Sequence, residues 1–137
     1  MTVSSDSTER TRQIGADFAA RLEPGSVVAL QGDLGAGKTE FVRGMVSALG
    51  GDAASVSSPT FTIAQEYLVD DGVVIHVDAY RVEDPREFVE MGMEEYLDTA
   101  HLVAVEWPDR MAGMLPPDAV AVHIEHQGGG KRSITLP

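Results

Sequence analysis

The chain has 137 residues, which is enough for one compact domain and too few for two. Its 22 acidic and 10 basic residues give a formal net charge of −12, which excludes the basic footprint that independent nucleic-acid binding needs. The sequence has no cysteine and no apolar run of about 18 residues, so it predicts a cytoplasmic, soluble protein without disulfides, thiol catalysis or membrane spans.

The first third of the chain predicts a tail, a helix and a buried strand. Residues 1–7 are small and polar, and we expect them to form a frayed tail on a single domain that spans residues 1–137. Residues 8–22 place apolar side chains at helical spacing, and Glu23-Pro24-Gly25 ends this predicted helix. Residues 26–31 are short and apolar, which is typical of a buried strand.

The eight residues from Gly32 to Thr39 match the phosphate-binding loop pattern, which is a glycine, four residues and then Gly-Lys-Ser/Thr. Glycines let the backbone wrap around an anion, so that the N–H groups of the loop and of the following helix bind phosphate. In this pattern the Lys38 ammonium reaches the β- and γ-phosphates, and the Thr39 hydroxyl binds Mg²⁺. The predicted nucleotide-binding residues are therefore Asp33, Leu34, Gly35, Ala36, Gly37, Lys38 and Thr39. Helical spacing then continues to residue 49.

Two later predicted strands each end in a carboxylate. Residues 62–69 and 73–77 are typical of an antiparallel hairpin around an Asp-Gly turn, and its second strand ends at Asp78. Residues 101–105 form another apolar strand, which ends at Glu106. A strand-end carboxylate beside a phosphate loop can hold Mg²⁺ or orient the attacking water. We therefore predict site roles for Asp78 and Glu106, and the division of labour between them stays open.

The remaining residues complete an α/β pattern. Residues 84–91, 93–97 and 108–114 predict short helical segments. Residues 119–126 and 132–136 predict an antiparallel hairpin at the sheet edge. We expect Lys131 and Arg132 in a solvated turn, and the alternative is that these two basic residues approach a nucleotide. The four histidines, including His76, lack a convincing metal-ligand spacing. The fold class predicted is α/β, with a P-loop NTPase-like, mostly parallel sheet, antiparallel hairpin additions and helices on both faces.

Four stretches of the chain carry a family resemblance: residues 32–39, Ser58-Pro59-Thr60-Phe61, His76-Val77-Asp78-Ala79-Tyr80-Arg81 and Val105-Glu106-Trp107-Pro108. Together they resemble the TsaE (YjeE) family, and they occur in the family's order over nearly the whole chain. The phosphate loop is generic to many nucleotide hydrolases, whereas the second and fourth stretches are much more specific. Ala79 stands where the family commonly has a larger residue such as Leu, which is a packing change away from the proposed chemistry.

The resemblance implies a subunit that binds and hydrolyses ATP with Mg²⁺ and is needed for threonylcarbamoyladenosine modification of tRNA next to the anticodon. TsaE-like proteins associate with the TsaB–TsaD pair, and TsaD performs the transfer, so contact with tRNA is expected only through these partners. The roles implied are phosphate binding for Lys38, Mg²⁺ binding for Thr39, a place around Mg²⁺ and the attacking water for Asp78 and Glu106, a γ-phosphate contact for Thr60, and a site wall for Trp107.

Two other functions stay open. A small-molecule kinase could use the same loop, but such enzymes close an arginine-rich lid over the phosphates, and Arg81, Arg86 and Arg110 are scattered here. A nucleotide-sensing module without turnover would not need two strand-end carboxylates.

Overall fold

A computed structural model describes residues 1–33, 35–57, 63–111 and 113–137. The strands of these residues are β1 (Thr2–Ser5), β2 (Ser26–Gln31), β3 (Ala64–Val69), β4 (Gly72–Asp78), β5 (Leu102–Glu106), β6 (Val120–Gly128) and β7 (Lys131–Thr135). The α-helices are α1 (Thr8–Ala19), α2 (Lys38–Ala48), α3 (Arg86–Glu90) and α4 (Met93–Thr99), and short 3₁₀ helices lie at Ala53–Ser55 and Pro108–Met111. Among these residues no helix is long and apolar enough to cross a membrane.

All seven of these strands join one sheet in the order β1-β7-β6-β2-β5-β4-β3. The centre is parallel: β2 pairs with β5 on one side and β6 on the other, and β5 pairs with β4. Antiparallel pairs extend both ends of this centre, β3 on β4 and β7 on β6. The predicted α/β class, with a mostly parallel centre and antiparallel additions, is confirmed.

Alternate residues of the central strands face two separate apolar cores. Val28 and Leu30 of β2 pack with the buried faces of α1 and α2. Val27 of β2 and Val103 of β5 pack on the opposite side, with Phe88 of α3. Strands covered on both faces are apolar throughout, which is why the sequence of β2 lacks a polar alternation. Helices therefore cover both faces of the sheet.

The two helices on the first face approach each other at glycines. A Cβ added at Gly15 of α1 would lie 2.4 Å from the carbonyl oxygen of Phe41, and one at Gly44 of α2 would lie 1.9 Å from that of Arg12. Both distances are too short for a real contact, so these positions accept no side chain without moving a helix. The close approach brings the Phe18 and Phe41 rings to 5.8 Å between centroids.

The prediction of a frayed tail at residues 1–7 is wrong. Residues Thr2–Ser5 form β1, which pairs antiparallel with β7 in a register that sets Thr2 opposite Thr135. The backbone groups of β7 would otherwise form an unpaired edge, and a short polar segment satisfies them with main-chain hydrogen bonds. Ser5 is buried, and its hydroxyl lies 2.8 Å from that of Thr11 in α1.

The β6–β7 hairpin was predicted at the sheet edge, and this placement is also wrong. The pairing itself is confirmed, but β1 covers β7, and β6 lies directly beside the central strand β2. Because β6 reaches β2, its residues lie next to the start of the phosphate-loop sequence.

We expect Gly44→Ala to lower the free energy of unfolding by at least about 2 kcal/mol, because the new Cβ overlaps the backbone of α1. At an exposed helix position alanine stabilises the helix by about 1 kcal/mol relative to glycine. A loss of stability in Gly44→Ala would therefore indicate the steric overlap. Urea unfolding gives the measurement. Ser47→Ala, at an exposed position of the same helix, is the control and should change stability by less than about 0.5 kcal/mol. An unchanged or more stable Gly44→Ala protein would contradict the close packing.

Candidate functional site

The phosphate-loop sequence connects the central strand β2 to helix α2, as its pattern requires. Gly37 adopts φ 107° immediately before α2, a conformation that favours glycine. At Gly32 a Cβ would lie 2.4 Å from the carbonyl oxygen of Ile124 in β6, so a glycine is needed where the chain leaves β2. Leu34, one of the predicted nucleotide-binding residues, lies outside the described residues.

Lys38 is folded back over its own loop. Its side chain is buried, and the residue is only 4% exposed. The Lys38 Nζ donates to the carbonyl oxygen of Gly32 at 2.6 Å and lies 3.9 Å from the centroid of the Trp107 ring. The ammonium is therefore held by a carbonyl and an aromatic face, both of which a phosphate would have to replace.

Carboxylates from three segments act on this ammonium. Burial lowers the pKa of Lys38, and the negative charges of Glu106, Asp78 and Asp33 oppose that change without cancelling it. All three carboxylates are therefore close enough to act electrostatically on the Lys38 ammonium. The structure thus brings together Lys38, Asp78 and Glu106, the three residues that the sequence predicted as catalytic.

Asp78 and Glu106 lie side by side because their strands are parallel and in register. Asp78 ends β4 and pairs directly with Glu106, which ends β5. The backbone N–H of Ala79 donates to the carbonyl oxygen of Glu106 at 3.1 Å, and the N–H of Tyr80 donates to Asp78 Oδ1 at 3.0 Å. Glu106 is 4% exposed, whereas Asp78 is only partly buried. The two carboxylates therefore differ in access to water.

A buried histidine contacts Glu106, and this contact was not predicted from the sequence. The Nε2 of His76 lies 2.5 Å from Glu106 Oε2, and His76 is fully buried. Its Nδ1 lies 3.3 Å from the hydroxyl of Tyr67. The available signal was spacing, since His76 and Asp78 are two residues apart on one strand and so project from the same face.

Tyr67 completes this buried row of polar side chains. Its hydroxyl lies 2.6 Å from Gln65 Oε1 and 3.2 Å from the carbonyl oxygen of Ser57. Burial raises the pKa of Tyr67, and the nearby charge of Glu106 raises it further. The hydroxyl therefore keeps its proton at neutral pH and acts as a hydrogen-bonding group.

Trp107 has a backbone conformation that is unusual for its residue type. Its φ is 58°, which makes it the one residue other than glycine with a positive φ in the described part of the chain. The ring packs 4.9 Å from that of Tyr80, between centroids, and its face contacts Lys38. Such strain is maintained only where the surroundings determine it. Trp107 forms a wall of the site, in agreement with the role that the resemblance implied.

Arg132 contacts the phosphate loop, so its predicted place in a solvated turn is wrong. Its Nε donates to the carbonyl oxygen of Ala36 at 2.7 Å, and a Cβ at Gly37 would lie 2.9 Å from the same nitrogen. Lys131 is exposed, as predicted. The contact follows from the pairing of β7 inside the sheet, which turns Arg132 towards the loop.

A side chain of helix α2 also binds the backbone of the segment that precedes residue 57. Arg43 donates to the carbonyl oxygens of Ala53, at 3.0 Å, and Val56, and it pairs with Glu40. Glu40 also accepts from Arg12 of α1 at 2.5 Å. Burial raises the pKa of Glu40, but the bonds from Arg12 and Arg43 outweigh it and hold that pKa below its ordinary value. Thr60, predicted near the γ-phosphate, lies outside the described residues.

A pocket of about 340 Å³ opens at the carboxyl ends of the central strands. Residues 31–33, 107–109 and 123–125 line it, so it borders the start of the phosphate-loop sequence and the Trp107 wall. Ligands of open α/β sheets bind at this edge. The pocket gives the site room for a small ligand next to Asp33.

The donor set fits magnesium better than a transition metal. Thr39 lies in the first turn of α2, and with Asp78 and Glu106 it offers the hydroxyl and carboxylate oxygens that Mg²⁺ takes alongside phosphate and water. In residues 1–33, 35–57, 63–111 and 113–137, no three His, Cys, Asp or Glu side chains gather into a metal centre.

The arrangement defines an α/β protein of the phosphate-loop class: a central parallel strand, a glycine-rich loop with a buried lysine, a helix, and carboxylates on neighbouring strand ends. A family model described as "Threonylcarbamoyl adenosine biosynthesis protein TsaE" matches residues 5–134. The chain belongs to the TsaE family, as the resemblance of its four motifs indicated.

Relatives and a solved structure agree with this membership. A Bacillus subtilis protein named "tRNA threonylcarbamoyladenosine biosynthesis protein TsaE" is 41% identical over 130 residues, 93% of this chain and 79% of that protein. A Treponema pallidum protein of the same name is 36% identical over 134 residues, 96% of each chain. The crystal structure of Bacillus subtilis YdiB has a TM-score of 0.79 at 31% identity and covers 99% of this chain and 83% of its own.

We expect Lys38→Ala to change the fluorescence of the ligand-free protein, because the ammonium lies against the ring of Trp107, the single tryptophan. Emission spectra of the wild type and the variant give the measurement. Lys131→Ala removes the other lysine of the sequence, at an exposed position, and should leave the spectrum unchanged. Identical spectra for all three proteins would show that the ammonium does not contact the ring in solution.

Proposed function

We propose that this chain is a Mg²⁺-dependent subunit that binds and hydrolyses ATP in the service of tRNA threonylcarbamoyladenosine modification. The observation that carries the proposal is the position of Lys38, which is buried in the loop against the Gly32 carbonyl and the Trp107 ring, beside strands that end in Asp78 and Glu106. The assignment to this pathway is inferred from the names of its relatives. The chain acts with a TsaB–TsaD pair, in which TsaD performs the transfer.

Phosphate binding begins with the loop and the N-terminus of α2. Backbone N–H groups of residues 33–39 and the helix dipole attract the phosphates, and Lys38 exchanges the Gly32 carbonyl for β- and γ-phosphate oxygens. That exchange is favourable, since a buried ammonium gains a charged partner in place of a neutral one. Arg132 fixes the Ala36 carbonyl meanwhile, which keeps that part of the loop in place.

Thr39, Asp78 and Glu106 are the residues that would hold Mg²⁺, and the cation would neutralise charge on the phosphates when bound. Glu106 is the better candidate to orient the attacking water, because it is almost fully buried while Asp78 is only partly so. His76 occupies Oε2 of Glu106, which leaves Oε1 to accept a hydrogen bond.

The charge of the chain supports the division of labour with partners. A net charge of −12 disfavours direct contact with tRNA, whose phosphates repel an acidic surface. A partner complex would therefore hold the tRNA, and this subunit would supply the nucleotide cycle.

We expect Lys38→Ala to weaken ATP binding at least about 100-fold, because the β- and γ-phosphates lose their cation in a buried site. Isothermal titration with Mg-ATP gives the measurement. The matched control is Lys131→Ala, at the exposed lysine, which should bind as the wild type does. Unchanged affinity of Lys38→Ala would remove the loop from the nucleotide site.

We expect Glu106→Gln to keep ATP binding and to lower phosphate release about 100-fold or more, since an amide cannot accept the proton of the attacking water. Single-turnover phosphate release gives the measurement, and Glu23→Gln, in an exposed turn, is the control. Release at the wild-type rate would exclude Glu106 from the hydrolytic step.

The pathway is tested with purified TsaB and TsaD. We expect weak phosphate release from Mg-ATP alone, a higher rate with both partners, and threonylcarbamoyladenosine formation that depends on intact Lys38. A rate of phosphate release that does not change when TsaB and TsaD are added would contradict the pathway. ATP-dependent phosphorylation of added small molecules would instead favour a small-molecule kinase.

A further inference from the structure

A row of buried polar side chains crosses three neighbouring strands behind the site. Tyr67 lies on β3, His76 on β4 and Glu106 on β5. The Tyr67 hydroxyl is 3.3 Å from His76 Nδ1, and His76 Nε2 is 2.5 Å from Glu106 Oε2. Their exposed fractions are 5%, 0% and 4%, so water cannot replace either contact. The row ends at the carboxylate to which the proposed function gives a role in hydrolysis.

The hydrogen bonds fix the orientation of the imidazole ring. An ionised carboxylate only accepts hydrogen bonds, so His76 Nε2 must carry the hydrogen that it shares with Glu106. The contact at 2.5 Å is at the short end for a charge-assisted bond. At the other side of the ring Nδ1 meets the Tyr67 hydroxyl, which is itself held by Gln65 and by the Ser57 carbonyl. Nε2 is therefore held by Glu106, whereas Nδ1 lies within hydrogen-bond distance of a hydroxyl whose single hydrogen Gln65 Oε1 and the Ser57 carbonyl can also accept.

Strand register places His76 where it can act on Glu106. His76 pairs with Ala104 and Asp78 pairs with Glu106, so His76 and Glu106 are diagonal neighbours on one face of the sheet. Across the other side of β4, Gln65 pairs with His76 and Tyr67 pairs with Val74. All three residues of the row thus lie on paired strands rather than in a loop.

We propose that His76 is a positioning residue for nucleotide hydrolysis: it holds one oxygen of Glu106, so that the other is presented to the attacking water or the metal, and Tyr67 holds His76 in turn. This inference rests on the proposed role of Glu106 in hydrolysis. A carboxylate on a glutamate has three rotatable bonds, and fixing them in advance avoids an entropic cost at each turnover. The bond to Oε2 performs that fixing while leaving Oε1 available.

The main test compares His76→Leu with His76→Gln. Leucine approximates the volume of the ring but removes both nitrogens, whereas glutamine can place an N–H near the position of Nε2. We expect His76→Leu to lower kcat for Mg-ATP hydrolysis at least about tenfold with KM changed less than about threefold, and His76→Gln to recover most of the rate. His126→Gln, on the exposed β6–β7 hairpin, is the control and should match the wild type.

A double-mutant cycle separates positioning from general support of the fold. If His76 acts through Glu106, then His76→Leu should have no further effect on the residual rate in a Glu106→Gln background. The ligand-free proteins supply a second readout, because Trp107 directly follows Glu106: His76→Leu should shift its emission, and His76→Gln should shift it less. Thermal melting of each variant shows whether it is folded.

Tyr67→Phe keeps the test decisive if His76→Leu does not fold, since it removes only the hydroxyl. We expect a loss in kcat of about threefold or more that also disappears in the Glu106→Gln background.

Three results would overturn the inference. Wild-type kcat in His76→Leu, no recovery by His76→Gln, or equal losses with and without Glu106 would each assign His76 a purely structural place. A wild-type protein that releases no phosphate, alone or with TsaB and TsaD, would instead overturn the proposed function, and the positioning role with it.

Discussion

The parallel pairing of β5 with both β2 and β4 is the constraint on which the site depends. It brings the ends of three strands to one edge of the sheet. The loop that follows β2 therefore lies near Asp78, the last residue of β4, and Glu106, the last residue of β5. A shift of one residue in either register would turn Glu106 or Asp78 to the other face and into an apolar core. The chemistry of the site is therefore a consequence of sheet register.

Burying this much charge is costly unless each group has a partner. Lys38, His76 and Glu106 are all at least nine-tenths buried, yet each is hydrogen-bonded, and among the described residues no buried side-chain nitrogen or oxygen lacks a partner. A well-packed apolar set would be at least as stable as such a cluster. The cluster thus indicates that these strand ends are shaped by function rather than by stability.

Local patterns carried most of the prediction from sequence. The loop with Lys38 and Thr39 and the strand ends at Asp78 and Glu106 are each visible within a few residues, and they determine the α/β class. The contacts that were missed join distant residues: His76 to Glu106 across 30 positions and Arg132 to Ala36 across 96. Thr2–Ser5 was predicted as part of a tail because its residues are mostly small and polar. The segment is a strand because it pairs with β7, and its own sequence does not indicate that pairing.

The pairing of β1 with β7 has a consequence for the order of events during synthesis. Thr2 lies opposite Thr135, so β1 cannot form its pairing until β7 has been synthesised. Contacts between such distant residues are slow to form, because the loop that they close is nearly the whole chain. The Arg132 contact with the loop waits for the same strand. The residue that braces the phosphate loop is therefore synthesised only after the loop itself and the central strands of the sheet.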